Sequence, residues 1–229
     1  MTNSKYIRPL GFLLFAQILF AGLIWQATAN EAELPTRPSI SYKANVSLSV
    51  GTITLLGTTW YTPDKERSEL GFGGAKFKGK PSIHRRDKGL LFILNEANKT
   101  YFTQTLKPGS AQSSLINHKF TEQTKIGTDT IEGIKATKYR VKSDKRKNRQ
   151  LIGHVWISKD NVLLRVDAQI TAKGKTNSFK YALTNLVIGP QPAALFELPK
   201  GYRFAKPTVS ELGLERRTPK AQNPESHKH

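Results

Sequence analysis

An alternation of apolar and polar residues with a period of two constrains this chain more than any other feature. It runs through most of the stretch between residues 40 and 188, and no long segment keeps the 3.6-residue period of a helix. Ile40, Tyr42, Ala44, Val46, Leu48 and Val50 alternate with Ser41, Lys43, Asn45, Ser47 and Ser49, the pattern of a half-buried strand. Val162, Leu164, Val166, Ala168 and Ile170 repeat it against Leu163, Arg165, Asp167 and Gln169. So do Phe179, Tyr181 and Leu183 against Lys180 and Thr184. Turn residues stand between the runs: Gly51, Pro63-Asp64-Lys65, Asn95 to Asn98, Glu132-Gly133, Lys159-Asp160-Asn161 and the stretch from Lys173 to Asn177. Leu90 to Leu94 is apolar on both faces, which predicts a strand covered by a second layer. Residues 136–202 then read as four consecutive antiparallel strands followed by Leu195-Phe196-Glu197-Leu198-Pro199, a short apolar plug cut off by Pro and Gly. About ten short strands at this spacing predict a sandwich, a barrel or a strongly curved open sheet.

The ends are of another kind. Lys5 and Arg8 precede the apolar run Leu10–Trp25, and Ala27-Thr28-Ala29 offers small residues where a signal peptidase cleaves. The expectation is a signal peptide over 1–29, a linker over 30–38, a folded domain over 39–204 and a disordered basic tail over 205–229. An uncleaved membrane anchor is the rival reading of the first segment. With no Cys in the chain there is no lipobox cysteine, so the exported protein is expected to be soluble, monomeric and periplasmic.

Charge speaks to partners. The chain has 36 basic and 17 acidic residues, and 34 basic remain once Lys5 and Arg8 are removed. In an exported protein this excess points to phospholipid head groups or envelope polymers, and away from nucleic acid. The densest run, Lys145, Arg146, Lys147 and Arg149, reads either as a solvated hairpin tip that keeps a sheet edge soluble or as a contact with an anionic membrane surface. Arg85 and Arg86 extend that candidate patch.

No catalytic apparatus is legible. The absence of Cys excludes a thiol nucleophile and thiolate-bound metal. His84, His118 and His154 lack ligand spacing, and His227 and His229 fall in the polar tail. Neither a Gly-x-Ser-x-Gly elbow nor a Walker loop occurs. No catalytic residue, metal site or cofactor is therefore assigned.

Five short motifs, taken in order, resemble a known group. They are Gly57-Thr58-Thr59-Trp60-Tyr61 followed by Arg67, Ser82-Ile83-His84-Arg85-Arg86-Asp87-Lys88-Gly89, Gly127 to Gly133 leading to Tyr139, Val155-Trp156-Ile157-Ser158-Lys159-Asp160, and Leu195 to Tyr202. Together they resemble the periplasmic outer-membrane lipoprotein carrier (LolA/LolB-like) superfamily over most of residues 40–204. The resemblance implies a mainly β (α+β) fold, a strongly curved antiparallel sheet forming a half-open barrel with short helical lid segments. Its concave apolar face would hold a lipid or lipoprotein acyl chain. Envelope sensing or protein interaction on the same fold, without transport, is the alternative. Trp60, Phe92, Tyr101, Trp156, Phe179, Tyr181 and Phe196 are the candidate lining, with ordinary core packing as the competing reading.

Overall fold

The computed structural model describes residues 37–72, 79–106, 120–143 and 149–207. In chain order the strands are β1 (Tyr42–Val50), β2 (Ile53–Thr62), β3 (Lys65–Phe72), β4 (Ser82–Arg85), β5 (Leu90–Asn95), β6 (Thr100–Thr105), β7 (Phe120–Ile131), β8 (Ile134–Ser143), β9 (Arg149–Ser158), β10 (Leu163–Ala172), β11 (Lys175–Ile188) and β12 (Arg203–Phe204). All twelve belong to one sheet, in the order β12-β6-β5-β4-β3-β2-β1-β11-β10-β9-β8-β7. Its end strands are not neighbours, so the sheet is open. The chain builds it outward in two halves, β1 to β6 on one side and β11 back to β7 on the other. The long-range pairing of β1 with β11 joins them. Every pair is antiparallel except β12 with β6, which follows from the last strand returning across the plug to lie beside Tyr101.

The turns form where the sequence places them. Glu132-Gly133 and Lys173-Gly174 both have positive φ at each residue, the left-handed pair that matches the twist of a tight hairpin. The second turn is shorter than expected, because β11 already begins at Lys175. Ser158 closes the β9–β10 turn, its Oγ accepting from the backbone N–H of Asp160 at 3.2 Å and of Val162 at 3.1 Å.

Two expectations change. β10 does not alternate strictly, because its register against β9 shifts between Leu163 and Arg165. Leu163 and Leu164 are both buried as a result. Among the described residues no helical lid segment is found: the helical elements there are 3-10 turns, including Arg86–Lys88 and Ala193–Phe196. The Ser- and Gly-rich stretch Lys107–Asn117, whose sequence allows one short helix or none, falls outside the described residues, as do the leader and nearly all of the tail.

Candidate functional site

The register gives the sheet one apolar face. Phe72, Leu55, Leu48, Tyr181, Val166, Val155 and Tyr139 stand directly opposite one another, strand to strand, from β3 to β8. Beside this row runs a second, Ile53, Val50, Phe179, Ala168, Gly153 and Val141. Directly opposed apolar pairs are the unit of sheet stabilisation, so these rows hold seven strands in register. They are unevenly covered. Val155, Val166 and Phe179 are buried, whereas Val50 is 37% and Ile53 56% exposed. The apolar face thus reaches solvent at the β1–β2 tip.

Further along the same face it turns polar. Tyr42, Tyr61, Glu66, His84 and Leu91 form another cross-strand row, from β1 to β5. The Tyr42 and Tyr61 rings stack at 5.0 Å. The Arg86 guanidinium lies 5.0 Å over Tyr61 and pairs with Glu66 at 3.3 Å. Ser68 Oγ donates to the other Glu66 oxygen at 3.3 Å. Tyr61 donates to the Pro38 carbonyl at 3.3 Å. Burial raises the Tyr42 and Tyr181 phenols well above their ordinary value, and the Glu66 carboxylate adds to both shifts. All three groups therefore lie within electrostatic reach of one another.

His84 is the outlier of this row. Its Nδ1 is buried and has no hydrogen-bond partner among the described residues. Burial lowers its pKa, Glu66 opposes that shift and Arg86 adds to it. A histidine depressed in the folded state costs stability when it must charge. That contribution is intact above the unfolded value near 6.5 and declines as pH falls from there toward the lower folded value. Thermal melts of the wild type between pH 7 and pH 5 should show this decline. In His84→Phe the slope over that window should flatten; an unchanged slope would remove His84 as its source.

The opposite face carries a separate cluster. Ile83, Leu94 and Phe196 are fully buried there, with Trp60, Phe92, Tyr101, Leu195, Leu198 and Tyr202 packed around them. The 3-10 turn Ala193–Phe196 sits on this face as the plug. Two arginines grip it: Arg67 donates to the Leu195 carbonyl and Arg85 to that of Phe196, each at 3.3 Å. Arg85 also pairs with Glu197 and Asp87, both at 2.7 Å. Trp156 is buried in a further cluster with Tyr42, Tyr61, Val162, Leu164 and Leu183, between Lys138 and Arg165 at 4.9 Å each, its indole N–H donating to Asp129 at 3.2 Å.

The seven aromatic candidates are therefore divided. Phe179 and Tyr181 share the apolar face. Trp60, Phe92 and Tyr101 pack with Phe196 of the plug, and Trp156 packs in the cluster of Tyr42, Tyr61 and Leu183. Arg85 and Arg86 turn inward, with side chains only 6% exposed. Internal carboxylates and carbonyls occupy them in place of an outward anionic partner. Arg149 opens β9, and Lys145, Arg146 and Lys147 lie outside the described residues. Sequence reasoning missed the row of Tyr42, Tyr61, Glu66 and His84. One signal was present: Glu66 is in phase with Leu70 and Phe72, an acid on the apolar parity of its strand.

These features define an open antiparallel sheet with one apolar face and a plugged second face. The chain belongs to the family described as a domain of unknown function (DUF4412), whose model matches residues 56–178, more than half of the sequence. No curated protein matches it. Among solved structures it is similar to an uncharacterized conserved protein from Thermus thermophilus, with 13% identity, a TM-score of 0.49, and coverage of 73% of this chain and 90% of that one. A likeness to the Mycobacterium tuberculosis lipoprotein LppX has 16% identity and a TM-score of 0.37, covering 63% and 85% of the two chains. A putative outer membrane lipoprotein-sorting protein domain from Vibrio parahaemolyticus matches at 7% identity and a TM-score of 0.33, over 70% and 91%.

Proposed function

We propose that this is an exported, periplasmic binding protein that holds a lipid or lipoprotein acyl chain against the apolar face of its sheet. One observation carries the reading: two adjacent apolar rows cross the sheet and surface at Val50 and Ile53. Such side chains are costly to leave in water, since each buried methylene gains about 0.8 kcal/mol. A chain laid along the rows would cover them. Phe179 and Tyr181 are assigned to its wall. The aromatic group under the plug is assigned to packing, and the positive balance to attraction toward anionic envelope surfaces, with Lys145, Arg146, Lys147 and Arg149 as contacts.

Mass spectrometry of organic extracts from the native protein tests the reading directly, with acyl lipid as the expected finding. The variant Val50→Lys/Ile53→Lys tests its location. Both positions are already exposed, so stability should move by no more than about 0.5 kcal/mol. Affinity for the apolar dye N-phenyl-1-naphthylamine should fall at least about tenfold, the equivalent of two lost methylene contacts. Empty extracts together with no dye binding would argue for the alternative, a protein-interaction module. The feature that favours this second reading is β7, a twelve-residue end strand with no neighbour on its outer side among the described residues.

A further inference from the structure

The polar row on the apolar face has more hydrogen-bonding capacity than the fold uses. We infer that Tyr42, Tyr181, Glu66 and His84 form a head-group site, and that the ligand's head is an uncharged ester or amide carrying a hydroxyl, as in a monoacylglycerol. This rests on the acyl-chain reading and adds the class of amphiphile.

Each group points to that chemistry. The Tyr42 and Tyr181 phenols are protonated at neutral pH, as any phenol is, so they offer O–H donors suited to a carbonyl oxygen. Glu66 accepts from Ser68 on one oxygen and from Arg86 on the other, and each oxygen keeps a lone pair for a hydroxyl. His84 Nδ1 is a buried polar atom lacking a partner among the described residues, and such an atom is costly until something bonds to it.

A free carboxylate fits poorly. The nearest cation, Arg86, already donates to Glu66 at 3.3 Å, to the Thr62 carbonyl at 3.1 Å and to the Pro63 carbonyl at 3.3 Å. A second anion would face Glu66 in a low-dielectric site without a cation of its own.

The test is displacement of N-phenyl-1-naphthylamine from the full chain at pH 8 by monoolein or by oleate. Monoolein should displace the dye at a concentration at least about tenfold below that of oleate. Tyr42→Phe and Tyr181→Phe, which keep the rings, should each weaken monoolein about threefold to tenfold relative to oleate. Glu66→Gln should narrow the gap by improving oleate. Oleate competing as well as monoolein, or Phe variants that bind monoolein like the wild type, would overturn the head-group site while leaving the acyl-chain reading standing. A wild-type protein that takes up no dye would remove both.

Discussion

Replacing Gly57 or Gly153 with alanine will cost this protein about 2–4 kcal/mol, more than a surface methyl group has any reason to. Both glycines lie inside strands and on the apolar face. A Cβ on Gly57 would run into the Glu69 carbonyl on β3 and stand 2.9 Å from the Leu70 Cα. On Gly153 it would meet the Asp167 carbonyl and the Ala168 backbone of β10. Neighbouring backbone cannot step aside as a flexible side-chain end can, so the strands themselves must separate. Glycine inside a strand marks such close approach, and here it does so once in each half of the sheet. Thermal melts should drop by roughly 5–15 °C for either variant. Gly89→Ala tests another kind of cost: its Cβ meets nothing within 4 Å, but its φ of +64° leaves a smaller conformational penalty. A Gly57→Ala protein melting within about 2 °C of wild type would show that the strands are free to part there.

The plug supplies the second large effect. Phe196 is 2% exposed against Ile83 and Leu94, so Phe196→Ala removes a buried ring at a cost of about 3–5 kcal/mol. Arg85→Met acts on the same contact by another route. It releases the Phe196 carbonyl and Glu197 together and leaves Asp87 without its fork of two hydrogen bonds. Asp87 and Glu197 both reach water, so the cost should be milder, about 1–3 kcal/mol. In both variants amide exchange should rise across residues 193–204 and remain slow in β8 to β11, because the plug packs against residues of β2, β4, β5 and β6. Arg85 also sets a pH dependence. Its guanidinium holds the Asp87 carboxyl below the usual carboxylate range. A depressed acid contributes stability above its unfolded value near 3.9 and loses it as pH falls through the folded value. Protection at the plug, the exchange rate corrected for the intrinsic rate at each pH, should therefore be flat from pH 7 to about pH 4.5 and fall below about pH 4, and Arg85→Met should abolish that fall. Uniform exchange across the whole sheet in either variant would mean that the plug is not a separate unit.

Most strands were legible because alternation is a local property. A half-buried strand must place every second residue in the core, and Tyr42 to Val50 or Phe179 to Leu183 does so without help from the rest of the chain. The plug was legible for a similar reason: Pro192 and Pro199 bracket an apolar segment too short to be anything but a cover. The short parallel strand β12 was not, since Arg203-Phe204 carries no period at all and pairs only because the plug returns it to β6. Nor was the fate of the arginines. Arg85 and Arg86 read as part of a basic surface, yet one locks the plug and the other stacks on Tyr61.

By itself the sequence determined the β class, the turns, nearly all of the strand boundaries and the identity of the plug, since each depends on neighbours along the chain. Only the tertiary structure decided which strand meets which, and therefore which faces are continuous. A period of two says that a strand has two sides and is silent on whose sides join. Cross-strand register resolved that, placing Phe179 and Tyr181 with the apolar rows, Trp60 and Phe92 under the plug, and an acid and a histidine on the greasy side of the sheet.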